Sequence, residues 1–131
     1  MKEQLHEAWR TNNTINFQFV EWIDEEGMKK TLSTRGGRTV YEQLFHLYNV
    51  RMQWLEIIAK DIFKKYKRIS RDEPYSKELL FELFENSGKS IEEFIDKSWE
   101  NNGKVVSFKK GLIPFVSYLI AHEGHHRGSI Y

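Results

Sequence analysis

Apolar residues recur at the three- and four-residue spacing of amphipathic helices in four long segments, separated by stretches rich in Gly, Asn and charge. Over residues 2–23, Leu5, Ala8, Trp9, Phe19 and Ile23 fall on one stripe, with Asn12 and Asn16 in its middle. Polar groups there need partners or a wet cavity. Asn12 and Asn16 therefore read either as core asparagines bonded to backbone or as liners of a polar pocket inside a bundle. Residues 24–38 contain Gly27, Gly36 and Gly37 and keep no period, which predicts a loop. The Gly36-Gly37 pair lacks the spacing and the Lys-Ser/Thr of a phosphate loop.

Thr39 with Glu42 three residues later forms a capping box and opens a second helix over 39–65. Leu44, Leu47, Tyr48, Leu55, Ile58 and Ile62 make its main stripe; Val50, Trp54 and Ile57 widen it. A helix apolar over most of its circumference belongs at the centre of a bundle. His46 sits at the edge of the second patch. Arg51 lies on the main stripe, where a buried cation needs a partner. An internal salt bridge, a subunit contact and a ligand anchor all stay open for it. The basic run from Lys64 to Arg71 reads as a solvated helix end, where cations suit the dipole.

A third helix is predicted over 76–99, with Leu80, Leu83, Phe84, Ile91, Phe94 and Ile95 facing the core and Gly88 marking a kink. The fourth opens at Gly111–Pro114, where Pro114 is tolerable in the first turn. Phe115 and Leu119 lie on one line with His122 and His126, so these histidines continue a core-facing stripe. Four long helices without a convincing strand predict an all-α four-helix bundle. The 131 residues fit one domain spanning 1–131.

Composition narrows the function classes. Lys and Arg number 20 against 19 Asp and Glu, a balance that gives no reason to expect a nucleic-acid or anionic-membrane partner. With no cysteine, neither disulfide nor thiolate chemistry can come from the chain, and a cytoplasmic location fits. Met1-Lys2-Glu3-Gln4 leads into no apolar run, so no signal peptide is expected, and no stretch is apolar enough to span a membrane.

Three of the five histidines, His122, His125 and His126, fall within five positions. Residues four apart lie about 40° apart around a helix, so His122 and His126 share a face while His125 turns away. Two imidazoles one turn apart can hold a divalent ion from one side, but a site needs more ligands. His122-Glu123-Gly124-His125-His126 formally matches the zinc-protease pattern H-E-x-x-H. That reading is set aside: such proteases take a third ligand downstream, and only five residues follow His126. His46 on the facing second helix is a candidate third ligand. From spacing alone, histidines that merely favour a helix C-terminus remain an equal reading.

Two blocks carry a family resemblance. Gly37-Arg38-Thr39-Val40-Tyr41-Glu42-Gln43-Leu44-Phe45-His46-Leu47 is similar to the second-helix segment of the DinB/YfiT-like superfamily of metalloproteins, which ends in its first histidine. Leu119-Ile120-Ala121-His122-Glu123-Gly124-His125-His126-Arg127-Gly128-Ser129-Ile130 resembles that family's H-x-x-x-H segment. The resemblance implies an up-down-down-up four-helix bundle, often a homodimer, with a divalent ion on His46, His122 and His126. It also implies chemistry on a small molecule: transfer of a low-molecular-weight thiol to an electrophile, isomerisation or hydrolysis. One departure is that family chains usually run on past this helix.

Two functions follow as expectations. The first is a metal-dependent enzyme using zinc or nickel, with Glu123 or His125 as proton carriers, Asn12 and Asn16 lining the pocket, and any thiol supplied by a cosubstrate. The second is a non-catalytic metal-binding or protective bundle. An open cleft of at least ~300 Å³ at the metal would favour the first.

Overall fold

The structure, a computed structural model, describes residues 1–31, 37–70 and 74–130. Its elements in chain order are α1 (Lys2–Trp22), the single turn α2 (Glu25–Met28), α3 (Val40–Ile58), the single turn α4 (Lys60–Phe63), α5 (Lys77–Glu100) and α6 (Leu112–Gly128). Residues 32–36 of the expected loop, Gly36 among them, and Arg71 of the basic run lie outside the described residues. The rest of the loop holds α2, capped by the Asp24 carboxylate on the Gly27 N–H, and an isolated antiparallel bridge between Thr31 and Thr39.

Local chemistry sets the helix starts. Thr39 Oγ1 accepts from the Glu42 N–H while Glu42 Oε1 accepts from the Thr39 N–H, so the capping box is complete. Ser76 caps α5 through the Leu79 N–H. Gly111, at φ 94°, turns the chain into α6 in a region that favours glycine. Pro114 falls among the first N–H groups, which have no helical partner to lose.

Two expected helices differ from what forms. The second does not run to residue 65: Ala59 leaves helical geometry at φ −153° and ψ 68°, and the chain re-enters a helix as α4 at Lys60. The break turns Ile62 fully into the core and leaves Ile58 half-buried. Nothing local announces it, because alanine is the best helix former. Gly88, in contrast, does not interrupt its helix: α5 is continuous from Lys77 to Glu100.

What Gly88 provides is a close approach between α1 and α5. Trp9 Nε1 donates to the Gly88 carbonyl at 3.0 Å, and the Asn13 amide donates to the Phe84 carbonyl at 3.1 Å. A Cβ on residue 88 would sit 2.5 Å from Asn13 Nδ2. For Gly88→Ala the helix-propensity gain of about 1 kcal/mol is smaller than overpacking of about 1–3 kcal/mol plus a displaced hydrogen bond of about 1 kcal/mol. Thermal unfolding should show a net loss. An unchanged or raised midpoint would mean that Asn13 swings aside freely.

Cross-helix contacts fix the directions. Along α1, His6, Trp9 and Asn13 meet Glu92, Gly88 and Phe84 of α5 in reverse order, so these helices are antiparallel. Arg51 meets Ser87, and Asp61 beyond α3 meets Lys97, so α3 and α5 run parallel. Gln43 meets His126 and Trp54 meets Phe115, making α3 and α6 antiparallel. The order is up-down-down-up, the expected bundle. Trp9, Phe45, Tyr48, Phe84 and Phe115 fill its centre.

Candidate metal centre

The site lies between α3 and α6. His46 follows three residues after the buried Gln43 on α3; His122 and His126 stack one turn apart on α6. His122 Nε2 and His126 Nε2 stand 3.1 Å apart. Two nitrogens about 2.0–2.1 Å from one tetrahedral ion lie about 3.3 Å apart, so this pair is already at ligand spacing. The His46 ring closes the third side, its centroid 4.8 Å from that of His126 and 6.1 Å from that of His122. One ligand atom from each of the three falls within 4.8 Å of the others, so the three histidines can hold a metal ion.

Electrostatics keeps these rings neutral, the form that ligates. Burial lowers His46, with Arg38 and His122 adding to the effect. Burial also lowers His122, opposed by Glu123 and aided by His125. His126 is lowered most, to about 4, by burial and then by the neighbouring His122, His46, His125 and Arg38.

The sign of the resulting pH dependence is definite. The folded metal-free chain resists protonating His126 until about pH 4, while the unfolded chain takes that proton up near 6.5. Stability should therefore fall as pH drops from about 6.5 towards 4. Circular-dichroism melts of metal-free protein should show this decline, and a His126→Gln variant should show less of it. Equal declines in the two proteins would contradict the assignment.

The other expected site residues fall elsewhere. Glu123, expected as a proton carrier, points away from the histidine face into the core and is 1% exposed. Its Oε2 accepts from Arg51 Nε and its Oε1 from Arg51 Nη2, each at 2.8 Å. The amides of Asn12 and Asn16 both donate to Oε1 at 2.9 Å. Burial alone would raise the Glu123 carboxyl; the Arg51 charge and these hydrogen bonds outweigh it and hold the group below the ordinary carboxylate range. Asn12 and Asn16 are thus core asparagines, bonded to a carboxylate rather than to backbone or a pocket. Arg51 resolves as an internal salt bridge, with Nη1 on Ser87 and its guanidinium over the faces of Trp9 and Phe84. Arg127 joins the network by donating to Asn16 Oδ1 at 2.7 Å. His125 is exposed, its ring 5.3 Å from that of His126.

Residues not singled out from sequence border the histidines. Gln43 is hydrogen-bonded to His126 Nδ1. Tyr118 stacks on His122 at 6.0 Å, and behind it Trp54, Phe108 and Phe115 form an aromatic cluster. Beside His46 a pocket of about 110 Å³ is lined by Arg38, Glu42, Phe45, Asn49, Ile69 and Tyr75. A larger pocket of about 990 Å³, along the α5–α6 link, includes none of the three histidines.

The chain is thus an up-down-down-up helical bundle in which three imidazoles that could hold a metal ion converge between the second and last long helices. The family model described as the DinB family matches residues 1–131, and the chain belongs to that family. No curated protein and no solved structure matches it. Among the described residues, no helix is long and apolar enough to cross a membrane.

Proposed function

We propose that the chain is a metal-dependent enzyme that holds one zinc or nickel ion on His46, His122 and His126 and acts on a small molecule beside it. The observation carrying this reading is the 3.1 Å approach of two Nε2 atoms with a third imidazole alongside. Three neutral imidazoles suit a divalent transition ion, which would supply Lewis acidity at an open coordination position. Without cysteine, any thiol in a transfer reaction comes from a cosubstrate; hydrolysis is the other reaction the site suits. Arg38 and Tyr118 flank His46 and His122 and are placed to contact that molecule. His125 is the remaining candidate proton carrier, because the Glu123 carboxylate is committed to Arg51.

One observation favours a second reading. The pocket beside His46, at about 110 Å³, has room for a few waters, short of a typical ligand cleft of ~300 Å³ or more. A non-catalytic metal-binding or protective bundle would need no more space. Elemental analysis separates both readings from a structural role for the histidines. The purified chain should carry about one transition ion, and His122→Ala should not. A folded wild-type chain that takes up neither zinc nor nickel would overturn the proposal.

A further inference from the structure

Gln43 is 5% exposed, yet it is polar and stands on the α3 face that also carries His46. Buried amides need partners. The partner seen is His126 Nδ1, the ring nitrogen pointing away from the ligand cluster. His122 differs here: its Nδ1 is buried and has no hydrogen-bond partner among the described residues. His126 is therefore the ligand whose outer nitrogen is gripped, and the grip comes from the helix that supplies the facing ligand.

Resting on the metal reading above, we infer that Gln43 is a positioning residue for the metal centre, fixing the ring plane of His126 through its outer nitrogen. Without an ion, the two Nε2 atoms at 3.1 Å can share only one N–H. If His126 supplies it, His126 Nδ1 is a bare acceptor, and the Gln43 amide N–H₂ donates to it. With an ion on both Nε2 atoms, the proton of His126 must sit on Nδ1 and needs an acceptor. A half-turn of the Gln43 carboxamide exchanges its nitrogen for Oε1 in nearly the same space. One side chain thus satisfies His126 in both states. A residue with only a donor or only an acceptor would hold one of them.

The test compares wild-type, Gln43→Leu and Gln43→Glu chains by zinc titration, with circular dichroism to confirm folding. Gln43→Leu keeps the volume but not the hydrogen bond, and should bind zinc about 10–100-fold more weakly. Gln43→Glu keeps an acceptor and should recover wild-type affinity or better. Nitrogen-15 NMR of the zinc-loaded chains should show the His126 Nδ1–H proton slow to exchange in wild-type and Gln43→Glu, and fast in Gln43→Leu. Equal zinc affinity in wild-type and Gln43→Leu would overturn the role of Gln43 while leaving the metal reading intact. A wild-type chain that binds neither zinc nor nickel would remove both.

Discussion

Replacing Glu123 by alanine should destabilise the folded chain by about 3–5 kcal/mol, the usual cost of removing one partner of a buried ion pair. The reason is what stays behind. Among the described residues, the fully buried Arg51 would keep only Ser87 Oγ and the faces of Trp9 and Phe84. Asn12 and Asn16 would lose the acceptor for both amides. Arg127, bonded to Asn16 and 8% exposed, would remain as a second buried cation without a nearby anion among the described residues. The pair itself need not be strongly stabilising, since apolar replacement of both partners is often neutral. Arg51→Met combined with Glu123→Leu should therefore recover part of the loss, but not all, because the asparagines stay unpaired. Urea denaturation of the wild-type chain and the two variants measures this. A Glu123→Ala loss under about 1 kcal/mol would show that water or rearrangement reaches Arg51 easily.

Replacing His122 by alanine should abolish metal uptake while leaving the fold near wild-type stability. His122 is half-buried, its Nδ1 holds no partner among the described residues, and its ring stacks on Tyr118, itself 39% exposed. Truncation therefore removes little from the core. It leaves His46 and His126 as two ligands on facing helices. Loss of a direct ligand should exceed the roughly 10–100-fold cost of losing an outer-shell partner. His125→Ala is the control: that side chain is exposed and turned off the ligand face, so zinc affinity should not change. Isothermal titration with zinc reads both. Wild-type affinity in His122→Ala, or its collapse in His125→Ala, would reassign the cluster.

These two residues, adjacent in sequence, show what the sequence made legible. Stripe positions placed His122 and His126 on the line of Phe115 and Leu119, and the capping box placed the start of α3. Both follow from local chemistry. The core network was visible only in fragments: Asn12 and Asn16 on one stripe, Arg51 on another, Glu123 one residue from a histidine. Each was a polar anomaly on or beside an apolar stripe. Arg51, a cation on a core stripe, needed an acid beside another core stripe, and Glu123 is such an acid; it is tertiary packing that makes the match. Gln43 gave a similar signal, a polar residue beside Leu44 and three before His46. The break at Ala59 gave none, because the chain there obeys helix propensity and the packed core overrides it.

The distances along the chain that the site bridges have a kinetic meaning. Arg51 and Glu123 are 72 residues apart, and Gln43 and His126 are 83 apart. Neither α3 nor α6 can assemble the centre by itself, so it forms only after both helices have docked, with a long loop already closed. An ion shared between them would act as a staple across more than half the chain, confining the unfolded ensemble much as a cross-link does. Contacts made that late favour the native state over the folding barrier. A bound ion should thus lengthen the lifetime of the folded protein far more than it speeds its folding.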